Sequence, residues 1–208
     1  MLVSEAITNL SATELKQLSV KTDNAACLVY LNEAVLELHK RFNLWQEEAL
    51  ITQPDDSTLS YTLEEADANV TIDLSDHIVL VIDKIYDPDQ TELGLNDEDD
   101  PESVATPKYN VVEFTQAEAA DVYNVIYRAS PIAMTAVGDT IDIPPALHEA
   151  MYFYVGFRAH VSQKGNKELE NGTHFKRFQD SCDRAAALGM VVQDSLHAHK
   201  FAQSYPWP

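Results

Sequence analysis

Positive charge is scarce in this chain of 208 residues: 14 Lys and Arg stand against 34 Asp and Glu, which gives a formal net charge of −20. An acidic surface repels the phosphate backbone of nucleic acids, so the composition disfavours general nucleic-acid binding. Repulsion between copies of so acidic a chain also favours solubility of the free protein.

Cysteine, glycine and long apolar runs are also few. The two cysteines, Cys27 and Cys182, lie far apart within helical patterns, which favours buried free thiols over a disulfide or a metal pair. The six glycines form no GxGxxG motif, and the P-loop, GxSxG and HExxH motifs are absent too. Because no apolar run reaches about 18 residues and no secretory leader opens the chain, we expect no membrane span and synthesis in a cytoplasm.

Apolar residues make up 45% of the chain, and towards both ends they recur at helical spacing. The spacing predicts helices over about 4–18, 23–42, 144–163 and 167–188. The residues that we expect in their core include Leu31, Leu38, Phe42, Met151 and Phe178. Since each helix has an inward face and the connections are short, a four-helix bundle is predicted.

Between residues 44 and 143 the pattern changes to short segments rich in β-branched and aromatic residues, with turn clusters between them. This pattern predicts a mainly antiparallel β insertion, with Ile78–Ile82 as its central strand. The expected fold class is therefore α+β. Its parts are N-terminal helices at 1–43, the β-rich insertion at 44–143, C-terminal helices at 144–192 and an extended tail at 193–208.

An acidic stretch at 87–102 contains no Lys or Arg and no amphipathic period, which predicts a solvated surface loop. Its densest part is Asp97, Glu98, Asp99 and Asp100. The spacing of these oxygen donors does not match the calcium-binding D-x-D-x-D-G-x5-E loop, although calcium stays an alternative. A third interpretation is that the loop faces a channel or a neighbouring subunit.

The tail carries bulky apolar residues on a segment that Pro206 and Pro208 prevent from being helical. These residues are Leu196, Phe201, Tyr205 and Trp207. Because such side chains are costly to leave in water, they must fold back or dock on a partner, for which Tyr and Trp are favoured anchors. His197 and His199 have no third ligand nearby, so an ordinary polar tail is favoured over a metal site. We predict no catalytic residue, metal or cofactor.

Three segments, taken in order, carry a resemblance to a known family. They are the helix Tyr30–Leu38, the strand and following residues Val125–Pro131, and the run Gly138–Val155, which leads through Ile143-Pro144-Pro145 into a buried helix. Together they resemble the head-to-tail adaptor (connector, or head-completion) proteins of tailed bacteriophages. The acidic loop and the aromatic tail lie outside the shared pattern.

The resemblance implies a non-enzymatic structural protein of the virion neck, made in the host cytoplasm. Such adaptors form a ring, commonly of twelve subunits, between the portal protein and a tail or nozzle protein. The ring extends the DNA channel without specific DNA binding, and the C-terminal segment, here 193–208, docks on the portal. The alternatives are a head-closure or tail-completion protein lower in the neck, or a small hydrolase or ligand-binding regulator that uses Cys27 or Cys182.

Overall fold

The computed structural model of the protein describes residues 1–191 apart from 98, 117 and 165–167, and the side chains of all of these apart from 163–171. The chain divides into two compact units. The helical unit contains Met1–Leu44 and the described residues from Ala133 to Val191, and the β unit contains Trp45–Ile132. The predicted tail at 193–208 lies outside the described residues. The fold class is α+β, as predicted.

Four α-helices and two short 3₁₀ helices make up the described part of the helical unit. They are α1 (Val3–Ala12), a 3₁₀ helix at Ser19–Thr22, α2 (Asn24–Arg41), a 3₁₀ helix at Pro145–Leu147, α3 (His148–Lys164) and α4 (Glu168–Ala187). α2 begins after Asp23, whose carboxylate accepts a hydrogen bond of 3.0 Å from the Ala26 amide. The first helix ends earlier than predicted because the chain turns tightly after Ala12, with the Lys16 amide bonded to the Thr13 carbonyl.

Packing stabilises this unit more than helix propensity does. Of the residues that the sequence places in the core, Leu31, Leu38, Met151 and Phe178 are 0% exposed and Phe42 is 1% exposed. Burial of each such side chain contributes roughly 1.5–3 kcal/mol before entropy is counted. α3 lies against both α2 and α4. Within the described residues, no helix is long and apolar enough to cross a membrane.

Residues 133–143, which the sequence pattern assigns to the β insertion, belong to the helical unit. Their backbone groups pair with the N-terminus: the Val3 amide donates to the Asp139 carbonyl and the Ile141 amide donates to the Met1 carbonyl. Asn32 of α2 makes two hydrogen bonds of 2.9 Å with the backbone of Met134. Because these partners satisfy the backbone, residues 140–143, whose composition is that of a strand, form only a single β-bridge, between Leu2 and Thr140.

The β unit contains two antiparallel sheets with one shared core. Its strands are β1 (Gln46–Thr52), β2 (Ser60–Thr62), β3 (Val70–Thr71), β4 (Val79–Tyr86), β5 (Ala105–Lys108), β6 (Val111–Glu113) and β7 (Val122–Ala129). One sheet has the order β3-β1-β7-β4 and the other the order β2-β6-β5. Apolar residues from both sheets form the core, with Ile51, Ile85 and Val125 fully buried.

The most apolar segment of the chain does not form the central strand. β4, which contains most of the predicted Ile78–Ile82 strand, lies at the end of its sheet, whereas β1 and β7 are central. β4 pairs with β7 through two register shifts, so the alternation of inward and outward side chains is interrupted. The continuous apolar run of β4 therefore does not mean that both faces of the strand are buried. It coincides with irregular pairing between β4 and β7.

Candidate functional site in the acidic β unit

The negative charge of the chain is concentrated in the β unit. Residues 45–132 hold 21 Asp and Glu against three Lys and Arg, a formal net charge of −18. The rest of the chain holds 13 Asp and Glu against 11 Lys and Arg, a formal net charge of −2. The helical unit is thus nearly neutral, and almost all of the excess negative charge lies in the β unit.

The acidic loop begins with a tight turn at the end of β4. The Asp87 carboxylate accepts a hydrogen bond of 2.7 Å from the Thr91 amide, and Gln90 has a positive φ of 64°. The chain then returns antiparallel to β4. Glu92 forms an isolated backbone β-bridge with Tyr86, and the Leu93 amide donates a hydrogen bond of 2.9 Å to the Ile85 carbonyl. The first third of the predicted loop is therefore an extension of the sheet.

The remainder of the loop is stabilised by its own polar side chains. The Ser103 hydroxyl donates to the Gly94 carbonyl at 3.0 Å and accepts from the Asp97 amide at 2.9 Å. The side chain of Asn96 makes two hydrogen bonds with Thr106, of 2.7 and 2.8 Å. The sequence pattern showed a loop without regular structure, and these contacts give it a defined conformation.

The four acidic residues that the sequence singled out are not equivalent. The Asp97 carboxylate accepts a hydrogen bond of 3.2 Å from the Asp99 amide, and the Asp100 carboxylate accepts one of 3.0 Å from the Glu102 amide. Both of these carboxylates therefore stabilise the loop itself. Asp99 and Asp100 are exposed and Asp97 is half-buried. Glu98 lies outside the described residues.

A cleft of about 520 Å³ opens beside the start of the acidic loop, and we call it the acidic groove. Leu93, Val104, Phe114 and Tyr123 contribute apolar and aromatic surface to it, and the Phe114 and Tyr123 ring centroids lie 4.4 Å apart. Five carboxylates also line it: Asp87, Asp89, Glu102, Glu118 and Asp121. Among its described lining residues there is no Lys or Arg, so the groove suits a cationic group.

Two sides of the groove are distant in sequence, and pairing of β4 with β7 brings them together. Tyr86 at the end of β4 stands opposite Asn124 near the start of β7, so the turn at Asp87 meets the connection that carries Glu118 and Asp121. The Gln53 side-chain oxygen accepts a hydrogen bond of 2.7 Å from the Glu118 amide and so holds this connection in place. Sequence reasoning missed this half of the site because no local pattern predicts strand register.

Tyr123 contributes a neutral hydroxyl to the groove. Burial is the main reason that the pKa of Tyr123 is raised, and the nearby Asp121 carboxylate raises it further. The two side chains are 3.4 Å apart, with the hydroxyl of Tyr123 donating to Asp121. At neutral pH the phenol therefore stays protonated and adds no further negative charge.

Neither cysteine is suited to nucleophilic chemistry. Burial raises the pKa of the Cys27 thiol, whose Sγ donates to the Val20 carbonyl at 3.4 Å. Burial raises the pKa of Cys182 to about 11, so its thiolate is scarce at neutral pH. Within the part of the chain that the structure describes, no group of His, Cys, Asp and Glu could hold a metal ion.

The predicted docking residues of the tail lie outside the described residues. They are Leu196, Phe201, Tyr205 and Trp207, together with the histidine pair at 197 and 199. The structure therefore places only the acidic loop among the regions to which the sequence assigned a function. The acidic groove extends that region to a surface that the sequence did not indicate.

The segment that carries the resemblance on α2 has structural contacts. Leu31 is buried, Asn32 binds Met134, and Glu33 makes hydrogen bonds of 2.7 and 3.1 Å with Arg158 of α3. The chain matches no protein-family model, and comparison with curated proteins found no significant match. Its function must therefore be argued from its own residues and contacts.

Proposed function

We propose that this chain is a structural subunit of the neck of a tailed bacteriophage, a head-to-tail adaptor that assembles as a ring of about twelve copies on the portal. The ring extends the DNA channel towards a tail or nozzle protein. The observation that carries this proposal is the charge distribution: a β unit with a formal net charge of −18 is inserted into a nearly neutral helical unit. An acidic wall repels phosphate, so DNA passes without binding.

In this proposal the four helices form a bundle that supports the ring. The contacts of α2 support this role, because Asn32 fixes the segment after the β unit and Glu33 ties α2 to Arg158 of α3. Asn32 and Glu33 belong to one of the three segments on which the resemblance to adaptor proteins rests. An adaptor needs such a rigid body, since it transmits contacts between two protein rings.

The tail is the portal-docking segment of the proposed adaptor. Residues 193–208 place Leu196, Phe201, Tyr205 and Trp207 on a proline-containing terminus, and aromatic anchors of this kind supply much of the affinity at protein interfaces. The site of action is then the head-tail junction of the virion. A head-closure or tail-completion protein lower in the neck would differ in its contact partner, which imaging of the particle identifies.

The test measures the mass of the purified chain alone and mixed with the portal protein of the virus that encodes it. We expect ring-shaped complexes on the portal by mass photometry and electron microscopy. Deletion of 196–208 should abolish attachment while the circular dichroism spectrum of the chain is retained. A full-length chain that stays monomeric and ignores the portal would overturn the proposal, and a truncated chain that still attaches would refute the role of the tail.

A further inference from the structure

The concentration of charge in one unit restricts how two copies of the chain can meet. A contact between two β units would bring together two bodies of formal charge −18, and such repulsion is screened only beyond about 10 Å at ordinary ionic strength. A contact between the β unit of one copy and the nearly neutral helical unit of the next avoids most of this repulsion. Contacts of this head-to-tail kind are the ones that generate rings.

The acidic groove is the surface of the β unit with the features of a docking site. It is concave, the Phe114 and Tyr123 side chains line it, and its described lining holds five carboxylates and no Lys or Arg. Lysine side chains suit such a surface, because their aliphatic stems cover apolar and aromatic groups while their ammonium groups reach carboxylates.

The helical unit carries a matching pair of charges between α1 and α2. Lys16 and Lys21 are exposed, and the Lys21 ammonium donates to the Lys16 carbonyl at 3.2 Å, which places it beside Lys16. Among the described residues, no carboxylate makes an ion pair with either lysine. Their charges are therefore available to a neighbouring molecule, unlike that of Arg158, which is paired with Glu33.

We propose that the acidic groove of one copy receives Lys16 and Lys21 of the next copy, and that this contact joins neighbouring subunits. The inference rests on the proposed function, because it assumes that the chain forms a ring. It adds the identity of the two surfaces and their direction around the ring. It also makes assembly sensitive to salt, since charge pairs at the rim of an interface weaken as ionic strength rises.

The test uses two charge-reversed variants of the full chain. One is E102K/E118K in the groove, at two exposed glutamates whose side chains form no described hydrogen bond, and the other is K16E/K21E. We expect each variant alone to assemble about tenfold more weakly than the natural chain, by mass photometry with and without portal. An equimolar mixture should recover part of the assembly, because each contact in an alternating ring is then either the natural one or pairs the two introduced lysines with the two introduced glutamates.

The control is E48K/E113K, which makes the same change of charge on exposed residues of β1 and β6 outside the groove. We expect this variant to assemble at least as well as the natural chain, because it lowers general repulsion without touching the contact. Circular dichroism checks that all variants fold. Recovery in the mixture together with an intact control would support the pairing of these two surfaces.

Other outcomes separate the inference from the proposed function. If the natural chain forms rings and the groove variant forms them equally well, the groove contact is refuted while the adaptor proposal stands. If both variants fail alone and their mixture fails as well, the pairing of groove and lysines is wrong. A control variant that fails like the groove variant would overturn it too. If the natural chain forms no ring with or without portal, the proposed function falls and this inference falls with it.

Discussion

Single residues decide the stability of the β unit where charge is buried. Arg128 of β7 and Asp83 of β4 form an ion pair of 2.9 Å, and their side chains are only 5% and 6% exposed. The sequence places both residues in predicted strands but cannot show that they meet, because the meeting depends on the register of β4 against β7. Removal of only one partner from a buried ion pair of this kind strongly destabilises the folded protein.

Replacement of Asp83 by alanine should lower the free energy of unfolding by about 3–5 kcal/mol, because it takes a buried carboxylate away from the buried Arg128 guanidinium. The double variant D83L/R128M should cost less than D83A alone, since both charged members of the pair are then replaced by apolar side chains. Urea denaturation measures both. The control is E92A, which breaks the exposed Lys84–Glu92 pair and should cost far less than D83A, because solvent screens exposed charges. Equal losses for D83A and E92A would contradict this account.

Glu14 makes the helical unit sensitive to acid. Its carboxylate lies 3.1 Å from His174 Nδ1 and 3.3 Å from Arg177 Nη1 of α4. The contact with His174 is the largest cause that lowers the pKa of Glu14 below its ordinary value of 4.5, and Arg177 lowers it further. Because the pKa is lower in the folded state, this contribution to stability is present above about pH 4.5 and is lost as the pH falls through the folded pKa.

We expect E14Q to be less stable than the natural chain at pH 7 by about 1–2 kcal/mol, since the contacts with His174 and Arg177 lose their negative partner. The difference should shrink as the pH falls below about 4.5 and should be lost below the lowered pKa of the folded state, where the natural carboxylate is protonated too. Thermal unfolding followed by circular dichroism from pH 3 to 7 measures this. A difference that stays constant across that range would show that the charge of Glu14 is not the cause.

At the scale of secondary-structure elements, the sequence predicts the type of an element better than its partners. The α2 core residues and the β-branched segments were visible as periodic patterns, since each reflects burial of one face. The place of β4 at the end of its sheet, and the pairing of residues 133–143 with the N-terminus, were not visible. Both depend on hydrogen bonds between residues that are far apart in sequence.

The acidic loop shows the same limit, because its composition hides a defined structure that Ser103 stabilises. S103A removes the hydrogen bonds to Gly94 and Asp97, so we expect amide hydrogen exchange across residues 94–104 to accelerate. Amides of β1 and β7 should keep their protection. The control S60A changes an exposed serine of β2 and should leave the loop unaffected. Unchanged exchange in the loop of S103A would show that other contacts hold it.

At the scale of the whole molecule, two compact units with separate cores make up one chain. The change from helical to alternating pattern near residue 44 indicated the first boundary. The second, after Ile132, was placed too late at 143, because Thr140–Ile143 has the composition of a strand. The groove was not predictable, since it forms only when the loop after β4 meets the connection before β7.

The β unit should fold when it is produced alone. Residues 45–132 begin and end on paired strands, with the Ala129 amide donating to the Trp45 carbonyl at 3.0 Å, and they hold a complete core. We expect the fragment to show a β-type circular dichroism spectrum and a cooperative thermal transition. A stepwise or absent transition would show that the unit depends on the rest of the chain. Because the fragment has a formal charge of −18, salt should screen the repulsion within it. We therefore expect its melting temperature to rise with ionic strength.

The burial of both natural cysteines has a practical consequence for spectroscopy. Since Cys27 and Cys182 have raised pKa values and little contact with solvent, a maleimide dye added at neutral pH should leave them unlabelled. A cysteine introduced by D99C on the exposed acidic loop would then take up the dye alone, without prior removal of the others. Energy transfer between labelled copies could thereby follow how the loops of neighbouring molecules approach one another in real time.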